Sequence, residues 1–435
     1  MAIELHESVQ RKLRPALADG LKAVRINNRK FIDYSSTYHL DDIDKILPQG
    51  QVQKSVASML GEPKISDFAL DHVSRTLFPN EYDPDSKAVP LQELLPPETI
   101  SGLANEVVDD LARLPHNYII SISLPATFGD GVKSSGFEGN ASGLPNAPRL
   151  AKVDKNFQSV FKLRSELEPQ GLLSLMNGEP RNFIDDAICL QFSMSGYVDR
   201  HGTSLTASHA LDTIRSFFGI GLALATFILE GSFSSWWAPS QRVVVHRILD
   251  DGTLYHDTNF EISREVSDLI SRIRLMSDGV NPPSEKALNW SLAQITRVWE
   301  SGSRADQIRR SASWHFDSYA GSNQLLSFIQ AMTVVEILVG EQDPDEKGIG
   351  LTKLLSNRCA YLLGATRDER DALLRRFSEI YRVRSQIVHV GKSRLIGSEE
   401  RMLFELRSIC RRLIWKEIEM LRSPNERIAR ALIGG

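Results

Sequence analysis

Apolar positions along the 435-residue chain change their period about two thirds of the way along. "NYIISISLP" (117–125) alternates, with Tyr118, Ile120, Ile122 and Leu124 on one face. "AICLQFSMSG" (187–196) sets Ile188, Leu190, Phe192 and Met194 against Cys189, Gln191, Ser193 and Ser195. A period of two predicts strands in both places. "QRVVVHRILDDGTLYHDT" (241–258) predicts a strand and a hairpin turning at Asp250, Asp251 and Gly252. Residues 206–230 predict a helix. Residues 127–148, rich in Gly, Ser, Asn and Pro, predict a long loop. The first part is therefore an α+β region whose strand order the pattern does not give.

Past "MSDGVNPPSEKALNW" (276–290), with its Gly, Pro-Pro and Ser, the spacing turns helical. Helices are predicted over 286–302, 304–318, 323–340, 350–364, 367–390 and 398–421. In "GLTKLLSNRCAYLLG", Leu351, Leu354, Leu355, Cys359 and Leu362 mark an apolar stripe, and Gly364 stands where a C-cap belongs. The expected organisation is an α+β region over 1–285, in one or two subdomains, followed by an all-α helical bundle over 286–435. The chain shows no internal repeat.

Length alone favours more than one domain. The three cysteines, Cys189, Cys359 and Cys410, lie far apart with no CxxC pair. That fits a reducing compartment and gives neither a disulfide framework nor a sequence-local zinc site. "MAIELHESVQRKLRPAL" lacks a signal-peptide core. The longest apolar run, "FFGIGLALATFIL" (217–229), is too short to span a bilayer. A cytoplasmic protein with no membrane partner is expected. Charge is uneven: from Lys286 onward 24 Lys and Arg face 18 Asp and Glu, a net of +6, whereas the preceding residues have 27 against 37, a net of −10. The basic segment suits phosphates better.

The segment "RSQIVHVGKSR" (384–394) holds the pattern Arg-x4-His in Arg384 and His389. Spacing alone carries little, since roughly one chance match is expected in such a chain. A second copy, Arg310 to His315 in "RSASWH", stands beside Trp314 and Phe316, where core packing is the plainer reading. Context separates the two. Leu373, Phe377, Ile380, Ile387 and Val388 fall at helical spacing, and Arg384 falls on that stripe. His389 lies about 140° round and ~7.5 Å further along an ideal helix, beside Ser385 and Arg382. A guanidinium on an apolar stripe needs a counter-charge. Glu336, on the Ile329–Thr333–Glu336 stripe of "AMTVVEILVG", needs one too, with Arg384 or Arg358 as candidates. From the residues alone, a buried ion pair fixing helix register is the plainer account of Glu336.

Other chemistry finds little support. There is no P-loop, no GxGxxG after a strand and no HExxH. In "DRHGTSLTASH" (199–209), His201, Ser204 and His209 permit a hydrolase reading, but loop polarity and helix capping explain them better. Trp236 and Trp237 fit a packed loop anchor better than a base-stacking platform.

From residue 311 onward the order of features resembles the ApeA-like branch of the HEPN superfamily. "SWHFDSYAGSNQLLSFIQAMTVVEILVG" is similar to that family's early helix, "LTKLLSNRCAYLLG" to its middle helix, and "EIYRVRSQIVHVGK" to its signature segment. The resemblance covers about 100 residues, none before about 290. It implies a HEPN-like helical domain that dimerises and cuts RNA in a composite cleft, without metal or other cofactor. On that resemblance Arg384 binds the scissile phosphate and His389 transfers a proton, with Ser385, Glu336 and Tyr381 in support. Arg382, Lys392 and Arg358 are the candidate RNA contacts. The implied role is an antiphage or toxin-like abortive-infection endoribonuclease, its N-terminal region sensing a ligand or phage protein. A non-catalytic RNA- or protein-binding module is the alternative. One departure stands out: the family often has Gly directly after the histidine, whereas here Val390 precedes Gly391. The expected consequence is a helix end displaced by one residue.

Overall fold

A computed structural model describes residues 3–28, 31–61, 64–76, 87–137, 139, 144–164, 183–230, 241–277, 284–321, 323–340 and 350–422. The chain opens with α1 (Glu7–Ala23), β1 (Arg25–Asn27), β2 (Phe31–Asp33), α2 (Gln51–Leu60), α3 (Ile65–Thr76), β3 (Val89–Pro90), α4 (Leu91–Leu94) and α5 (Pro97–Ala112). These elements bury their own core, in which Leu13, Leu17 and Leu21 of α1 meet Ile100, Val107 and Leu111 of α5. Their spacing of four or seven residues is what places each set on one helix face.

Next come β4 (His116–Ser123), α6 (Ala126–Ser134), β5 (Arg149–Lys152), α7 (Lys155–Val160), β6 (Ile188–Gly196) and α8 (Leu205–Ala223). They are followed by β7 (Phe227–Leu229), β8 (Arg242–Ile248), β9 (Leu254–Glu261), α9 (Arg264–Ser271) and β10 (Ile273–Leu275). A five-stranded antiparallel sheet runs in the order β5-β6-β4-β8-β9. Alternation works as expected: Ile120, Ile122, Leu190, Phe192, Val243 and Val245 face α8. On the opposite face Ile119, Cys189 and Val244 pack with Phe157, Phe161 and Phe183. The hairpin β8–β9 turns at Gly252, where φ is 80°.

Two sequence expectations need correction here. Residues 127–148 are not all loop, because α6 occupies their start and buries Phe128 and Val132 one turn apart. Its glycines, Gly129 and Gly131, lie against Ile188 and Leu275, so composition hid a packed helix. The helix predicted to reach residue 230 ends at Ala223. Ala225 then takes a φ of 58°, and β7 pairs with β10. Apolar residues all round gave no period by which to see that end.

Beyond residue 284 the chain is helical: α10 (Glu285–Glu300), α11 (Asp306–Asp317), α12 (Gln324–Val339), α13 (Leu351–Leu363), α14 (Arg367–Ser385) and α15 (Gly397–Met420). Five of the six lie within about two residues of the predicted spans. Leu354, Leu355 and Cys359 are buried, but Leu351, expected on the same stripe, is exposed at the first turn of α13. Gly364 caps α13.

The core is continuous across position 285, because α8 packs against α11. A side chain at Gly219 would meet the Ala312 carbonyl oxygen at 1.9 Å, so only glycine permits this approach. Ser216 Oγ donates to Arg309 O at 2.8 Å, and Arg215 Nε lies 3.3 Å from Asp317. The N-terminal unit is tied to the sheet by charge. Asp110 of α5 meets Arg247 of β8 at 2.7 Å, His72 at 2.9 Å and His116 at 3.1 Å. Arg75 of α3 joins Asp71 and Asp257, both at 2.8 Å, and donates to Val198 O. Among the described residues no helix is long and apolar enough to cross a membrane, and the three cysteines are free and buried.

Candidate functional site

Helix α14 starts at a capping box: the Thr366 hydroxyl accepts from Glu369 N–H at 3.2 Å, and the Glu369 carboxylate accepts back from Thr366 N–H. It buries Phe377, Ile380 and Val383, and its regular α geometry stops at Ser385. Residues Gln386–Val390 form a single π turn, in which Gly391 N–H donates to Gln386 O. The chain leaves through Gly391 at φ 71°, ψ 41°, a left-handed conformation that favours glycine.

This turn corrects the predicted α-helix over 367–390. A turn closed at i+5 takes in one residue more than an α turn. The additional letter before glycine, Val390, is thus absorbed by widening the last turn. Val388, expected on the buried stripe, is 48% exposed, and Val390 is 78% exposed. The same widening makes the angle between Arg384 and His389 smaller than the ~140° of a regular helix.

Arg384 lies at the edge of the buried stripe, one residue past buried Val383. Its Nη2 is 3.3 Å from Glu336 Oε1 on α12, with side-chain exposures of 22% and 29%. Glu336 Oε1 is buried and receives no hydrogen bond, so charge compensates it without donor alignment. Arg358, the other candidate partner, donates instead to Val339 O at 3.0 Å, where α12 ends. The Arg384 guanidinium also sits 5.8 Å from the centroid of the Tyr381 ring, which is partly buried. His389 is exposed and has no hydrogen-bond or ion-pair partner among the described residues. Ser385 is partly buried at the junction of the α and π turns, and Arg382 is exposed.

Sequence reasoning missed Glu399. It is 7% exposed, accepts from Lys392 Nζ at 2.8 Å and from Ile396 N–H at 2.9 Å. Burial opposes its charge, but Lys392, the Ile396 N–H and the nearby Arg382 outweigh that and hold its pKa below the usual value. The loop after His389 is thereby clamped to the start of α15. A glutamate at the third position of a helix was the available signal.

The second Arg-x4-His copy divides. His315 is fully buried between helices, its ring edge-on to Tyr319 at 5.2 Å, whereas Arg310 is exposed. Trp314, expected to pack with Phe316, is exposed while Phe316 is buried. In the 199–209 loop, Asp199 accepts from Ser204 N–H and from Thr203 Oγ1, both at 2.7 Å, and Ser204 Oγ caps α8. These are turn and capping bonds. His201 and His209 are exposed at either end. Trp236 and Trp237 lie outside the described residues. Among the described residues no group of three or more His, Cys, Asp or Glu is placed to hold a metal ion.

Compared with family models, with curated proteins and with solved structures, the chain finds no match.

Proposed function

We propose that the chain is a HEPN-type endoribonuclease that acts as a homodimer, with Arg384 and His389 as its catalytic residues. One observation carries the reading: an arginine anchored at the edge of an apolar helix stands one π turn before an exposed histidine that has no partner among the described residues. π turns of this kind recur at functional sites. Arg384 stays charged and suits bidentate binding of the scissile phosphate. His389 takes the 2′-hydroxyl proton or delivers one to the leaving 5′-oxygen. The 2′-oxygen bonds to phosphorus as the P–O5′ bond breaks, giving a 2′,3′-cyclic phosphate and a 5′-hydroxyl. Arg384 also stabilises the charge that builds on the phosphoryl oxygens.

Dimerisation draws support from apolar residues left exposed in and just after the π turn, Val388, Val390 and Ile396, and on α15, Phe404. Tyr381 and Ser385 position Arg384, and Arg382 and Lys392 hold neighbouring phosphates. Antiphage or toxin-like action, with the acidic N-terminal region as sensor, rests on the family resemblance and the charge asymmetry. A second reading has its own observation. The Glu336–Arg384 ion pair is what a non-catalytic binding module would use to fix two helices. Incubation of the dimeric protein with RNA in EDTA separates them. Cyclic-phosphate ends that vanish in Arg384→Ala and His389→Ala support the nuclease; intact RNA supports the binding module.

A further inference from the structure

At the far end of α15, Trp415 lines a cleft of about 400 Å³, within the ~300–1,000 Å³ usual for small-ligand sites. Ala223, Ala225 and Leu363 make a small, apolar floor. The wall carries Arg411, Arg412 and Lys416 against a single carboxylate, Glu419. Two of these cations are engaged: Arg412 donates to Leu363 O at 2.6 Å, and Lys416 Nζ lies 3.2 Å from Glu419. Arg411 is exposed and has no hydrogen-bond or ion-pair partner among the described residues.

Arg411 also sits one turn beyond a second cation that has no carboxylate partner among the described residues. Arg407 donates to Ser318 O and stacks on Tyr319, its charge 4.4 Å from the ring centroid. Like charges four residues apart on a helix repel, and an anion would relieve them. His315 registers the same field: burial first, then Arg407 and Arg411, push its pKa down to about 3.

The ring of Trp415 is partly exposed and braced from behind by Trp290, with centroids 5.3 Å apart and planes inclined by 35°. A braced indole beside an unmatched guanidinium suits a ligand with a flat ring and an anionic group. Ala225 on the floor holds a left-handed φ of 58° without being glycine. Such strain is retained where a particular backbone path is needed.

We propose that this cleft binds a nucleoside monophosphate, its base against Trp415 and its phosphate on Arg411, at a site separate from Arg384 and His389. Calorimetric titration of the full chain with AMP, GMP, CMP and UMP tests it, with adenosine and inorganic phosphate as controls. At least one mononucleotide is expected to bind about tenfold more tightly than either control. Arg411→Glu, on an exposed side chain, is expected to weaken that binding at least about tenfold at unchanged circular dichroism. Trp415→Phe retains the packing on Trp290 and is expected to weaken it less. Arg384→Ala is expected to leave it unchanged. The proposal is overturned if no mononucleotide binds, if inorganic phosphate binds equally well, or if Arg411→Glu has no effect. Loss of binding in Arg384→Ala would also overturn it, by placing the ligand at the other site. Because binding is read and not cleavage, the outcome is independent of whether the chain cuts RNA.

Discussion

Arg384 and His389 sit five residues apart in different physical circumstances, and substitutions should separate them. His389 is exposed and has no partner among the described residues, so His389→Ala is expected to change stability by less than about 0.5 kcal/mol. Under the proposed chemistry it lowers RNA cleavage by ~10²–10⁴-fold. Arg384→Ala leaves Glu336 Oε1 buried beside no counter-charge, which costs ~1–3 kcal/mol. Adding Glu336→Gln should recover much of that stability and none of the cleavage. Urea unfolding alongside a cleavage assay reads both quantities. His315 provides a test by pH. Its folded pKa, about 3, is depressed from the 6.5 usual for histidine. The unfolded chain therefore takes up the proton first, and the stability contributed by neutral His315 is full above pH 6.5. It is lost as pH falls from 6.5 towards 3. His315→Leu should flatten that part of the stability–pH curve. An unchanged slope would mean that His315 is not held neutral.

At the level of elements, the helices after residue 284 were legible because apolar residues recur every three or four positions and Gly or Asp-rich turns separate them. The two strands at 117–125 and 187–196 were legible from alternation. What failed did so for identifiable reasons. Helix α6 is short and glycine-containing, and its two core residues, Phe128 and Val132, are too few to set a period. The end of α8 is buried on all sides, so hydropathy carried no boundary. The π turn at 386–390 was legible only as an extra letter, Val390 before Gly391; the choice between a displaced helix end and a widened turn depends on packing around Ile387 and Leu395. Deleting Val390 tests the explanation. Closure at i+4 should then return the segment to regular α geometry with stability equal or higher, while RNA cleavage falls because His389 is rotated away from Arg384. Full cleavage by the deletion variant would show that the turn is incidental. Of the candidate site, the Arg384–Glu336 pair was foreseeable from two charges on apolar stripes. The capping role of Glu399 had a signal in its helix position, but its pairing with Lys392 did not, since only the folded loop brings the two together.

On the scale of the molecule, one core joins the sheet to the helical bundle through the α8–α11 contact at Gly219, and a second lies in the N-terminal unit. Asp110 is the hinge of charge between that unit and the sheet. Burial alone would raise its pKa, but hydrogen bonds from His72 and Arg247, with His116 close by, hold it well below the carboxylate range. Its stabilising contribution is therefore full above about pH 4 and is lost as acid protonates the carboxylate below that. Asp110→Ala should cost ~3–5 kcal/mol near neutral pH, as breaking a buried charge network does, read as a lower urea midpoint. A change below about 0.5 kcal/mol would mean that the two parts hold together without it. Several partners in these networks are distant in sequence, His72 and Asp110 by 38 residues and Arg75 and Asp257 by 182, which is why no local pattern announces them. The proposed function makes the molecule a pair of bundles whose histidines and arginines share one cleft. The most direct measurement mixes Arg384→Ala protein with His389→Ala protein, each inactive alone, and assays RNA cleavage in EDTA by its cyclic-phosphate ends. The account predicts that wild-type protein cuts, that each variant alone does not, and that mixing restores part of the activity through heterodimers. RNA left intact by wild-type protein, or cut equally by all three, contradicts it.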